Sequence, residues 1–166
     1  TCGSSVANTF PKAATRTDCA NAGYCTYAEE SVNFANWYAY YRTRLQAMKT
    51  GAGLAFSGIG ATYRVGFSIL GETSTSSTDF LKVNDFGTTQ KQSWYTKFYG
   101  QAPNSGTPLR RSLARIGQMY AHKGDLAAAD PTQYSCQQNF VLMTTDGYWN
   151  TDDCDDVNQV NDSTNI

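Results

Sequence analysis

Apolar side chains recur at spacings of three and four along residues 33–56, where Phe34, Trp37, Tyr38, Tyr41, Leu45 and Met48 form one stripe. That period predicts an amphipathic helix with the stripe turned to a core. Arg42, Arg44 and Lys49 lie off the stripe, and Gly51, Gly53, Gly58 and Gly60 weaken and then end the run. Residues 62–70, TYRVGFSIL, alternate in part and are rich in aromatic and β-branched types, which predicts a strand. Gly71 opens a Ser/Thr stretch, and beyond it Phe80, Leu81 and Val83 suit a second, edge-like strand. A short helix is expected over 89–99, with Trp94, Tyr95, Phe98 and Tyr99.

The turn-rich stretch GQAPNSG at 100–106 separates this from another helix, which Thr107 and Pro108 open. Thr is a good N-cap, and Pro is favoured at the first helical position. Leu109, Leu113, Ile116 and Tyr120 mark its apolar face. A polar loop runs from His122 to Gln138. Residues 139–145, NFVLMTT, then form a nearly continuous apolar run, the signature of a strand buried on both faces. Helices alternating with strands predict an α/β sheet with parallel members. Residues 1–30 show no period and read as an irregular arm, and the Asn- and Asp-rich tail has almost nothing to bury.

Composition narrows the class. The chain has 166 residues, enough for one core. Only 16% of them are charged and the net charge is −1, so Ser, Thr, Asn, Gln and Gly carry the polarity. That balance suits an extracellular surface. Arg110, Arg111 and Arg115 are the one dense basic spot, which argues against a nucleic-acid partner. No run approaches the length of a membrane span. The start at Thr1 without Met or signal peptide reads as that of a processed or excised piece. The five cysteines, Cys2, Cys19, Cys25, Cys136 and Cys154, form no CxxC pair, which suits disulfides and an oxidising compartment rather than zinc. Cys19 and Cys25 are spaced to close a small loop, and Cys136 and Cys154 flank the last predicted strand.

Two positions carry candidate chemistry, Thr107 and Asp146. Both sit at element ends, where an open α/β sheet places its binding crevice. A hydroxyl and a carboxylate are hard donors that suit Mg²⁺ or Ca²⁺. Each also has a plainer reading: Thr107 as an N-cap, and Asp146 before Gly147 as a turn residue. The tail carboxylates Asp152, Asp153, Asp155 and Asp156 lack the spacing of a calcium loop. Enzymatic chemistry is poorly supplied. His122 is the single histidine, and no GxSxG, GxGxxG or GxxxxGK[ST] motif is present. Glycosidases need only two carboxylates, so a glycan-acting hydrolase is the remaining enzymatic alternative. Trp37, Tyr38, Tyr41, Trp94, Tyr95 and Trp149 would suit a sugar site, although helical spacing assigns most of them to the core.

Three segments together resemble one family. NFANWYAYYRTRLQAMKTGAGLAF at 33–56, GTPLRRSLARIGQMY at 106–120 and SCQQNFVLMTTDGYWN at 135–150 are similar to the von Willebrand factor A-like (vWA-like) region of type IV pilus assembly and tip-adhesin proteins, the PilC/PilY family. The resemblance implies an incomplete vWA-like, Rossmann-type α/β domain over 33–150. An irregular disulfide-tied arm would precede it at 1–32, and an acidic loop or disordered tail would follow at 151–166. It implies an exported bacterial protein at the pilus tip, cell surface or periplasm. Such a protein would work in pilus assembly and adhesion, with minor pilins or a tip complex and a host or abiotic surface as partners. A divalent cation would be held by a DxSxS motif, by Thr107 and by Asp146. This sequence contains no DxSxS, so the resemblance places that motif upstream and leaves the cation site and the sheet incomplete. A purely structural scaffold of the pilus tip is the rival expectation.

Overall fold

The structure, a computed structural model, describes residues 9–71, 76–103, 107–124 and 126–145. The chain divides into two compact units, Thr1–Ala52 and Gly53–Ile166. The described residues are mixed α/β, with two two-stranded sheets and four α-helices.

In the first unit, β1 (Thr9–Pro11) pairs antiparallel with β2 (Tyr24–Thr26), and the loop between them is tied by a Cys19–Cys25 disulfide. Cys25 is fully buried. The arm therefore has regular structure that its sequence period does not show, because three-residue strands are too short to display one. Helix α1 (Tyr27–Tyr40) starts directly after β2. Its start is a capping box: Thr26 Oγ1 accepts from the Glu29 N–H at 3.3 Å, and Glu29 Oε2 accepts from the Thr26 N–H at 2.7 Å. Glu29 Oε1 also accepts from the Ala20 N–H at 2.8 Å, so one carboxylate fixes both the helix start and the disulfide loop. Arg16 bridges Asp18 at 2.7 Å and Glu30 at 2.8 Å.

The single helix expected over 33–56 is two helices, α1 and α2 (Arg44–Ser57). A second box causes the break. Thr43 Oγ1 accepts from the Gln46 N–H at 3.2 Å while Gln46 Oε1 accepts from the Thr43 N–H at 3.0 Å, which starts a new helix at that point. The apolar stripe does not build a core there either. Helix α1 buries none of its residues, and Phe34 and Trp37 remain 62% and 49% exposed.

In the second unit, β3 (Arg64–Ser68) and β4 (Phe80–Asp85) form an antiparallel pair. The parallel pairing expected from helix–strand alternation is absent among the described residues, where both ladders are antiparallel. The register slips between Val65 and Phe67, at Gly66. Helix α3 (Thr88–Gly100) covers this pair with Trp94 and Phe98. The Gln90 amide of α3 donates to the carbonyls of Val65 and Lys82, both at 2.8 Å, and so holds the two strands and the helix together. Lys91 Nζ donates to the Ser57 carbonyl, which the end of α2 leaves without a helical partner, and to the Ile59 carbonyl just beyond it. Helix α4 (Leu109–Tyr120) packs Met119 with Phe80, Leu126 and Ala129, the last from a 3₁₀ turn at Ala127–Ala129. Of the expected face, Ile116 and Tyr120 pack against this cluster while Leu113 is half exposed; the two buried residues of the helix are Arg115 and Met119, which lie beside that face. Residues 139–145 are not a strand here. Phe140 and Leu142 are 83% and 73% exposed, since no described strand lies beside them to bury either face.

A Cβ at Gly66 would meet the Leu81 carbonyl and Val83 Cγ2, each at 2.7 Å. Gly66→Ala should therefore lower stability by about 1–3 kcal/mol in denaturant unfolding, and an unchanged midpoint would show that the bulge can shift at no cost. The Arg16 hydrogen bonds hold the Asp18 carboxyl down to about 2 from its ordinary 3.8. A carboxyl with a depressed folded value stabilises above the ordinary carboxylate range and loses that contribution as pH falls through about 2. An NMR titration of Asp18 should show that low midpoint, and Arg16→Gln should return it toward 3.8; a midpoint that stays low in the variant would remove Arg16 as the cause.

Candidate functional site

The start of α4 is where the sequence places its described candidate ligand. Pro108, which is buried, sits at φ −79°, ψ 65°, and the Leu109 N–H donates back to the Thr107 carbonyl at 2.9 Å. That is an inverse γ-turn, and it moves the helix start by one residue. Pro108, not Thr107, is the N-cap, and no side chain caps the helix. The N-cap expected at Thr107 is thus corrected: the fixed φ of proline closes the γ-turn and pushes Thr107 one position outside the helix. Thr107 is half-buried.

Ser112 positions this end of the helix. Its hydroxyl donates to the Pro108 carbonyl at 2.9 Å and accepts from the Gly71 N–H at 3.1 Å. Gly71 has φ +82°, a left-handed conformation that glycine adopts without strain. The contact brings the chain leaving β3 against the first turn of α4. Sequence reasoning missed Ser112, and no local motif signals it, because its partner lies 41 residues away.

The electrostatics of this end are positive. The first turn of α4 holds no acidic residue, which leaves the partial positive charge of the helix N-terminus without a carboxylate from that turn. Such an end favours a carboxylate or another anionic oxygen over a bare cation. A cation here needs carboxylate ligands to offset that field, and Thr107 offers one neutral oxygen. Asp146 and the tail carboxylates lie outside the described residues. Among the described residues, the one place where three Cys, His, Asp or Glu donors gather is Cys19, Cys25 and Glu30, and both sulfurs there are spent on the disulfide. The described residues therefore do not by themselves form a cation site. Cys136 is exposed and has no disulfide partner among the described residues; Cys2 and Cys154 lie outside them.

Comparison with known proteins gives the context that geometry lacks. No family model matches the chain, and no solved structure matches it. The chain is 32% identical over 142 residues to the type IV pilus biogenesis factor PilY1 of Pseudomonas aeruginosa strain PAO1, a match covering 75% of this chain and 12% of that protein. PilY1 of strain PAK is 31% identical over 138 residues, with the same coverage of 75% and 12%. PilY1 of strain UCBPP-PA14 is 32% identical over 123 residues, covering 71% of this chain and 11% of the relative. The proteins it resembles are thus type IV pilus biogenesis factors, of whose length it spans roughly an eighth. The chain belongs to the PilC/PilY family.

The geometry at α4 yields its own test. Ser112→Ala removes both bonds and should cost about 1 kcal/mol, seen as a lower thermal midpoint with α3 and the β3–β4 pair intact. An unchanged midpoint would mean that Gly71 and Pro108 hold this end without the hydroxyl.

Proposed function

We propose that the chain is a non-enzymatic binding and assembly segment of a type IV pilus biogenesis factor, built on a vWA-like domain completed by strands outside this sequence. The observation that carries this reading is the 32% identity to PilY1 over 75% of the chain. Its site of action is the exported pilus, its tip or the cell surface. Its partners are minor pilins or other tip components, together with a surface ligand. Among the described residues no helix is long and apolar enough to cross a membrane.

The exposed run at Phe140, Val141 and Leu142 supports the vWA-like reading. Such a run suits a central strand, and a strand supplied from outside this sequence would give it the neighbour it lacks. A divalent cation in this reading uses Thr107 and Asp146 together with the upstream DxSxS oxygens. The partner then supplies a carboxylate or similar oxygen as the last ligand. The purely structural alternative is favoured by one observation: the first turn of α4 holds no acidic residue that could join Thr107 as a cation ligand.

A titration with Mg²⁺, Mn²⁺ and Ca²⁺ separates the two. In a longer chain that includes the DxSxS strand, ion binding should appear and should be lost in Asp146→Ala. Binding that survives Asp146→Ala, or no binding in the longer chain, would leave the scaffold reading.

A further inference from the structure

The aromatic residues that suit a sugar site by type are divided by the structure. Trp94 is buried in the core of the second unit, and the Tyr95 hydroxyl is spent on the Gly53 carbonyl. Trp149 lies outside the described residues. Trp37, Tyr38 and Tyr41 are each about half exposed, and Phe34 beside them is more so. Helix α1 buries none of its residues, so these rings are not a core face. Phe34, Trp37 and Tyr38 stand at i, i+3 and i+4, which puts them on one side of the helix. The ring centroids of Phe34 and Trp37 are 5.8 Å apart, and those of Phe34 and Tyr38 are 6.0 Å apart. Their planes are inclined by 37° and 36°, so the rings lie side by side at a shallow angle and a flat ligand can rest on more than one of them.

Arg42, one turn beyond Tyr38, gives this patch a charge. Its Cζ lies 4.1 Å from the centroid of the Tyr38 ring, and Nη1 donates to the Tyr38 hydroxyl. Both contacts hold the guanidinium on a ring, and no carboxylate pairs with it among the described residues. Its Nε and Nη2 form the edge of the fork that can bind a carboxylate through two parallel bonds. The surrounding sequence is one-sided. Residues 31–63 hold Arg42, Arg44 and Lys49 and no Asp or Glu, in a chain whose net charge is −1. The acids of α1, Glu29 and Glu30, lie in its first turn. Glu29 serves the capping box, and Glu30 and Asp18 are paired with Arg16. Asn33, one turn before Trp37, donates its amide N–H to Asp18 at 2.8 Å, which leaves its amide oxygen to accept from a hydroxyl.

We propose that this face of α1 binds an acidic polysaccharide. Phe34 and Trp37 stack against the apolar side of a pyranose, whose C–H groups meet the negative face of an aromatic ring. Tyr38 holds Arg42 in place, and Arg42 pairs with the carboxylate of a uronic acid residue. Other occupants fit less well. A dry protein interface would take Arg42 out of water with no carboxylate of this chain beside it, whereas a sugar leaves it at a wet rim. A nucleic-acid strand carries a charge on every phosphate, and three cations do not make the basic stripe that such a strand needs. The site uses neither Thr107 nor Asp146 and needs no cation, so it stands or falls apart from the ion-binding reading.

The test is a calorimetric titration of the chain with a hexamer of galacturonic acid, in the presence of a chelator so that no cation bridges the ligand. Cellohexaose serves as the neutral probe and a single-stranded oligonucleotide as the other polyanion. The acidic hexamer should bind, and more tightly than the neutral one. Trp37→Ala should weaken it about tenfold through lost stacking. Arg42→Gln should weaken it about fivefold and close the gap to cellohexaose, as expected of an exposed ion pair. Both side chains are exposed, so circular dichroism should show both variants folded. No saturable binding of the acidic hexamer would overturn the proposal. So would an affinity that neither variant changes, or an oligonucleotide that binds as tightly, the mark of a general polyanion surface. Self-association in sedimentation that Trp37→Ala abolishes would also overturn it, by assigning the face to a second copy of the chain.

Discussion

The second unit depends on one side chain, Trp94. Its indole stacks on Phe56 of α2 with ring centroids 4.5 Å apart and on Phe98 of α3 at 4.7 Å. It meets Phe67 of β3 and Phe86 beyond β4 edge-on, at 6.3 Å and 6.0 Å. A two-stranded sheet on its own is marginal in water and needs an apolar layer against one face. Trp94 supplies that layer, joining α2 and α3 to β3 and to Phe86, which directly follows β4. The polar ties then follow the same geometry. Gln90 and Lys91 lie one turn before Trp94 on α3, so once the ring is seated they fall beside the strand carbonyls and the end of α2. Tyr95 adds a bond from its hydroxyl to the Gly53 carbonyl at 2.8 Å.

What the sequence shows and what it hides divides along the range of the interactions. The helices around Trp94 and around Met119, and the strands at 62–70 and near Phe80, are legible because each carries a local period. The break between α1 and α2 is also written locally, in Thr26–Glu29 and Thr43–Gln46, but it is masked by an apolar period that continues through it. Spacing alone reads Phe34, Trp37, Tyr38 and Tyr41 as one stripe, and only the capping pairs reveal two helices. Strand direction is not legible at all. Helix–strand alternation suggests parallel pairing, yet β3 and β4 follow one another with no helix among the described residues between them, and direct succession permits an antiparallel pair. At the candidate site, Thr107 is legible as a residue beside a helix start, whereas the γ-turn at Pro108 and the Ser112–Gly71 tie are set by tertiary contact. Asp146 lies outside the described residues, so no geometry joins it to Thr107.

The same division explains why family membership was easier to read than chemistry. Long, unusual runs such as NFANWYAYYRTR and CQQNFVLM carry many specific residue choices at once, and they support a resemblance without any fold being solved. A metal site is the opposite case. It is a few oxygens brought together from distant segments, and here the motif that would supply most of them is missing from the sequence.

Those two runs share a further property. Phe34, Trp37, Tyr38 and Tyr41 in the first, and Phe140, Val141 and Leu142 in the second, are all substantially exposed. The packing of this chain does not account for their apolar character, since Trp94 and Met119 hold their clusters without them. An exposed Leu alone needs no explanation, but a helix face whose aromatic rings stay about half exposed and an apolar run with no described strand beside it both leave surface that water disfavours.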